Sequence, residues 1–187
     1  FIVGSVSKTF TALAVMQLVE SGKVDLDAPV QRYLPWFRVA DPQASARITV
    51  RNLLNHTSGL PQKADTFLWT DQDAGVLERS VRYLKTVALA RPIGSFGYSN
   101  ANYQTLGLIV QTVSGQPYED YIEQHIFASL AMQTSFASQQ QAQRHGMATG
   151  YRWCFGFPIP ATLPFNRAEL PAGYLISSAQ DMAHYLI

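Results

Sequence analysis

Apolar residues recur along this chain with a helical period in four long stretches, separated by shorter segments rich in polar residues, glycine and proline. The first stretch, Ala12-Leu13-Ala14-Val15-Met16-Gln17-Leu18-Val19, is apolar nearly all round. A helix of that kind is buried inside a core instead of lying on its surface. It is expected from Ser5 to Ser21, with Gly22 placed as the residue that ends it. The second stretch, Asp73 to about Ala90, repeats Val76, Leu77, Val81, Leu84, Val87 and Ala88 at helical spacing. Asn100 to Val113 predicts a third helix stopped near Gly115, and Pro117 to Phe127 a fourth with proline in its first turn.

Shorter elements fall between these. Leu26 to Leu34 predicts a helical turn with Asp25 or Asp27 as cap and Pro35 as stop. Thr49 caps a short helix through Leu54, which His56-Thr57-Ser58-Gly59 ends in a turn. Arg91 to Gly97 reads as a loop that delivers Tyr98 to the next helix. Ser135 to Pro164, rich in Gln and Pro, predicts loops or short strands, and a last helix starts near Ser178 with Asp181 in its first turn. Neither an internal repeat nor a domain linker interrupts this order, so one mainly helical unit is expected.

Composition narrows the function classes. At 187 residues, 47% hydrophobic and 14% charged, the chain can bury a sizeable single core. Fourteen basic and 13 acidic residues leave a formal charge of +1, which recommends neither nucleic acid nor an acidic membrane surface as partner. The longest mostly apolar run, Leu13 to Val19, is far short of the roughly 20 residues a membrane span requires. Cys154 stands alone, which excludes an internal disulfide. His125, His145 and His184 are scattered without metal-ligand spacing, and Asp65 to Asp73 is too irregular for a calcium loop. No cofactor or metal is called for, and no pattern specifies an oligomeric state.

The chemistry is concentrated in two short motifs. Ser5-Val6-Ser7-Lys8 places a hydroxyl and an amine on one face at the start of the buried helix. A lysine at that edge can take a proton from serine if burial or a nearby cation keeps its amine neutral. Tyr98-Ser99-Asn100 offers a phenol able to shuttle a proton and an amide able to hold a substrate carbonyl. Together they describe a serine acyl-transfer site that needs neither histidine nor metal. Each motif also has an ordinary structural reading: a capped helix start with a solvated lysine, a core tyrosine, an N-capping Asn100.

Other polar residues carry weaker signals. His56 could serve as a general base but reads more simply as a turn histidine. Ser58 lacks a nucleophile-elbow context and reads as a turn residue, and Ser7 is expected to satisfy local backbone. Tyr151, Trp153, Phe155 and Phe157 cluster as a pocket wall or as a packed loop.

The chain resembles the serine β-lactamase superfamily, in the branch that holds class C β-lactamases, D-Ala-D-Ala carboxypeptidases and penicillin-binding-protein-like esterases. The matching segments are residues 4–12, 18–30, Tyr33-Leu34-Pro35, residues 48–61, residues 98–103, Pro171-Ala172-Gly173-Tyr174-Leu175 and Asp181-Met182-Ala183. Their order holds along almost the whole sequence, with Tyr-x-Asn where related enzymes carry Ser-Asp-Asn. The resemblance implies an α+β β-lactamase/transpeptidase-like fold. Residues 1–187 would form part of that catalytic domain, predominantly α: the helical subdomain with the nucleophile helix, lacking the N-terminal strands and the C-terminal Lys/His-x-Gly strand. It further implies Ser5 as nucleophile, Lys8 and Tyr98 as proton carriers and Asn100 as substrate ligand, acting on a small-molecule or short-peptide amide, β-lactam or ester. An exported, periplasmic or cell-surface bacterial protein is the implied setting. Two other readings remain open: a non-catalytic relative that binds peptidoglycan or peptide, and a fragment inactive for want of the third motif, since a lost oxyanion donor costs about two to three orders of magnitude in rate.

Overall fold

The computed structural model describes residues 1–64, 72–161 and 164–186. Two long helices form its centre. Helix α1 (Ser7–Glu20) buries Phe10, Ala14, Val15 and Leu18, as expected of a helix apolar on every side. It ends where Gly22 takes φ +71°, a left-handed conformation that costs glycine little. A tight 3-10 turn (Gly4–Val6) precedes it, so Ser5 lies just outside the α-helix and not within its first turn as the sequence suggests. Gly4, at φ +56°, sets the entry of that turn.

The short elements α2 (Pro42–Arg47), α3 (Val50–Leu54) and α4 (Val76–Tyr83) flank this centre. Helix α3 begins in a reciprocal capping box between Thr49 and Asn52, an arrangement worth about 1 kcal/mol. Helix α2, capped by Asp41 with Pro42 at its first position, is too short to show a period and was not expected. The helix expected through Ala90 stops early. After a 3-10 turn at Leu84–Thr86 the chain extends, because Val87 and Ala90 bond the backbones of Ala40 and Gly59.

Helix α5 (Asn100–Ser114) is the second central rod, with residues from Ala101 to Val110 buried and Gly115 at φ +74° closing it. Helix α6 (Tyr118–Ile122) continues into a wider turn at Glu123–Phe127, together matching the expected fourth stretch. Helix α7 (Gln139–Arg144), capped by Ser138, precedes an antiparallel hairpin of β1 (Gly150–Cys154) and β2 (Phe157–Ala161). Phe155 and Gly156 turn the hairpin with positive φ at both positions, the twist two-residue hairpins favour. Helix α8 (Ala179–Leu186) closes the chain, and its Tyr185 stacks on Phe10 with ring centroids 4.1 Å apart. The segment 65–71, which contains most of the stretch read as too irregular for calcium, lies outside the described residues.

A wide turn at Leu170–Tyr174 locks the two rods together. Helix α5 has Gly107 beneath it, where a Cβ would lie 2.3 Å from Pro171 Cγ. Only glycine lets the turn come that close. The facing side of α1 holds the same turn with polar groups: Ser7 Oγ accepts the N–H of Leu175 at 3.1 Å, and Thr11 Oγ1 donates to Pro171 O at 2.7 Å. Tyr118 donates its hydroxyl to Thr11 at 2.7 Å, and complete burial pushes that phenol's pKa well up. Among the described residues no helix is long and apolar enough to cross a membrane.

Candidate active site

The seam between α1 and the 170–174 turn delivers one half of the site. Lys8 is 6% exposed, and its Nζ donates to the backbone carbonyl of Ala172 and to Asn100 Oδ1, the latter at 2.8 Å. The third direction faces Ser5 Oγ at 3.3 Å. Two of these partners are carbonyl oxygens and can only accept, so they take two N–H groups of the amine. What remains toward Ser5 is an N–H when Lys8 is an ammonium and a lone pair when it is neutral.

The loop before α5 delivers the other half. Tyr98 Oη lies 2.6 Å from Ser5 Oγ, and Lys8 Nζ sits 4.9 Å from the Tyr98 ring centroid. Ser5 and Tyr98 both reach solvent, Tyr98 at 37% exposure, so a carbonyl substrate can approach the hydroxyl. Ser5 also sits at the positive end of the α1 dipole, which favours a developing oxyanion. Asn100 is the first residue of α5; Ser99 holds the capping position. Its side chain therefore serves Lys8 and not the helix end, which corrects the capping alternative, and its Nδ2 is the part of the amide able to donate to a substrate carbonyl. Ser5 and Tyr98, 93 residues apart in sequence, and Lys8 and Asn100, 92 apart, thus meet in one hydrogen-bonded group.

His56 lies beside this group. Burial first and the Lys8 charge second push its imidazole below the ordinary pKa. Its ring stacks on Tyr98 at 4.6 Å between centroids. Its backbone has φ +56°, strain of order 1 to 3 kcal/mol that surrounding contacts must offset. Ser58 is buried and donates to Asn102 Oδ1 at 2.6 Å, so it is a turn residue with a second task of fixing that amide. Sequence reasoning weighs His56 as a general base or a turn histidine but does not place it against Tyr98, and it gives no role to Ala172, which contributes a main-chain carbonyl that no side-chain pattern reveals. Ser7 bonds a distant backbone group and not the local one expected.

The remaining expectations resolve elsewhere. Tyr151, Trp153, Phe155 and Phe157 are exposed at 64%, 77%, 97% and 71%, so they neither wall this site nor form a packed loop. His125, His145 and His184 are far apart in sequence and each bonds its own surroundings. Among the described residues no cluster of His, Cys, Asp or Glu could hold a metal.

A family model described as Beta-lactamase matches residues 1–187. The chain belongs to the β-lactamase family. Protein flp of Staphylococcus aureus strain MW2 is 32% identical over 193 residues, covering 98% of this chain but only 37% of that protein. The chain thus spans well under half the length of that relative. The octameric penicillin-binding protein homologue from Pyrococcus abyssi superposes with a TM-score of 0.82 at 32% identity, over 100% of this chain and 44% of its own. The D-amino acid amidase of Ochrobactrum anthropi SV3, solved with L-phenylalanine amide, gives 0.81 at 27% identity, over 100% and 55%. The fold is β-lactamase/transpeptidase-like with helices dominating, in a superfamily of serine hydrolases.

Proposed function

We propose that this chain carries the acylating centre of a serine hydrolase that acts on amides, β-lactams or esters. The observation that carries the reading is the pairing of Ser5 Oγ with Tyr98 Oη at 2.6 Å and Lys8 Nζ at 3.3 Å, with two N–H groups of Lys8 already committed to carbonyls. In the neutral amine the lone pair then faces the Ser5 hydroxyl and can accept its proton. Ser5 Oγ bonds to the substrate carbonyl carbon, and the proton passes through Lys8 or Tyr98 to the departing amine or alcohol. Water then attacks the acyl-enzyme, returning a proton to Ser5 and releasing an acid. Asn100 Nδ2 holds the acyl group's carbonyl. The N–H of Ser5 supplies one oxyanion donor; the reading requires a second from elsewhere in the catalytic domain, where the family resemblance puts a Lys/His-x-Gly strand. The amidase neighbour, named for D-amino acid amides, supports amides as a substrate class to test first.

Fluorophosphonate labelling of the protein with its full natural chain, mapped by peptide mass spectrometry against Ser5→Ala, tests the reading. An adduct on Ser5 that the variant abolishes is expected, followed by turnover in a screen of β-lactams, D-Ala-D-Ala peptides, D-amino acid amides and short-chain esters. A folded protein without an adduct sinks the hydrolase reading and leaves a peptide-binding relative.

A further inference from the structure

His56 holds the backbone N–H groups of both residues that flank Tyr98. Its carbonyl accepts the N–H of Gly97 at 2.8 Å, and its Nδ1 accepts the N–H of Ser99 at 3.2 Å. Its ring lies on the Tyr98 ring at 4.6 Å and 28°. A backbone N–H can only donate, so Nδ1 carries no proton. Asn102 confirms the tautomer from the other side: Ser58 donates to its Oδ1, which leaves Nδ2 to donate to the same Nδ1 at 3.1 Å. A lone pair shared by two fixed donors cannot collect the proton of Ser5. The charged and titratable groups around the ring are Lys8 from α1, Tyr98 from the loop and Tyr103 from α5; burial first and the Lys8 amine second lower the pKa of the imidazole. The left-handed backbone at His56 is what lets one residue present its carbonyl to position 97 and its ring to positions 98 and 99.

We propose that His56 is the positioning residue of Tyr98, a neutral clamp that holds the phenol over Ser5 and takes no part in proton transfer. The proposal rests on the serine hydrolase reading above and names what aligns its second proton carrier. A displacement of about 1 Å in such a group can cost on the order of a hundredfold in rate, so the clamp is visible in kinetics.

The test is the second-order rate of fluorophosphonate labelling at Ser5 in the protein with its full natural chain, beside the thermal unfolding of each variant. His56→Ala is expected to label about a hundredfold more slowly than wild type. His56→Asn, which keeps an acceptor oxygen near the place of Nδ1 and tolerates left-handed backbone, is expected to recover most of that loss. In a Tyr98→Phe background His56→Ala is expected to cost nothing further, since the two residues act as one unit. His56→Phe, which keeps a ring and removes the acceptor, replaces His56→Ala in this cycle if the latter does not fold. Wild-type labelling by His56→Ala overturns the clamp and leaves a merely structural turn. Losses that multiply in the double variant, or a His56→Asn as slow as His56→Ala, overturn it in favour of an independent or proton-carrying role. A wild type that does not label fails the hydrolase reading itself, an outcome distinct from all of these.

Discussion

The seam between α1 and the 170–174 turn and the β1–β2 hairpin invert each other. In the seam, Ser7, Lys8 and Thr11 are polar and almost wholly buried; in the hairpin, Trp153 and Phe155 are among the largest apolar side chains and stand in solvent. Polarity of the side chain therefore does not decide burial here. The seam is stable because its polar groups find fixed partners, and among the described residues no buried side-chain nitrogen or oxygen lacks one. A satisfied polar group loses little on leaving water, whereas an orphaned one costs about 1 to 3 kcal/mol. The hairpin relies on its own main-chain pairing, and its rings add little to the core.

The contrast can be broken most forcefully at Lys8. Lys8→Ala is expected to reduce ester or amide turnover by about two to four orders of magnitude, read as kcat in steady-state assays; turnover at the wild-type rate would remove Lys8 from the chemistry. Next come the contacts that hold the turn. Gly107→Ala drives a methyl into Pro171 and is expected to cost about 1 to 3 kcal/mol in denaturant unfolding. Thr11→Val leaves Tyr118 and the Pro171 carbonyl without their shared hydroxyl, with a loss of about the same size. If either variant unfolds at the wild-type midpoint, the seam is not what secures the turn.

A smaller effect is expected from pH. The His56 pKa is lowered by burial and by Lys8, so the folded state binds its proton less readily than the unfolded chain. Its contribution to stability is complete above the unfolded value of about 6.5 and is lost as pH falls through the lowered folded value. Unfolding free energies measured from pH 8 down to 5 should therefore fall less steeply in His56→Asn than in wild type, and identical slopes would contradict the burial of a neutral ring. The smallest effect sharpens the comparison from the other side. Trp153→Ser is expected to change stability by less than about 0.5 kcal/mol; a loss of 2 kcal/mol or more would show that the hairpin ring is packed after all.

Most of the helical order was legible because long helices advertise themselves. The unbroken apolar run of α1, Gly22 and Gly115 at the helix ends, and Thr49 with Asn52 at α3 are local signals, and local forces satisfied them. The misreadings are tertiary. Val87 to Ala90 keeps a helical period but is drawn out by the backbones of Ala40 and Gly59. The hairpin, by contrast, falls where loops or short strands are expected, and Pro158 and Pro160 are tolerated because β2 is an edge. For the candidate site, Ser5, Lys8, Tyr98 and Asn100 are singled out by motif chemistry together with the family resemblance, and the structure brings their side chains together. Ala172 and the clamp of His56 could not be, since a carbonyl is common to every residue and a left-handed φ is set by what surrounds it.

The hydrogen bond from Lys8 to Ala172 spans 164 residues, and it has a consequence in time. During synthesis Ser5 and Lys8 emerge well before the Ala172 carbonyl that anchors Lys8. Closing so large a loop is entropically slow and depends on the intervening helices already being in place. Until then Lys8 lacks one of its two carbonyl anchors and Ser5 is an ordinary alcohol. On the proposed hydrolase reading, a reactive serine is therefore withheld from the nascent chain until this unit has closed around it.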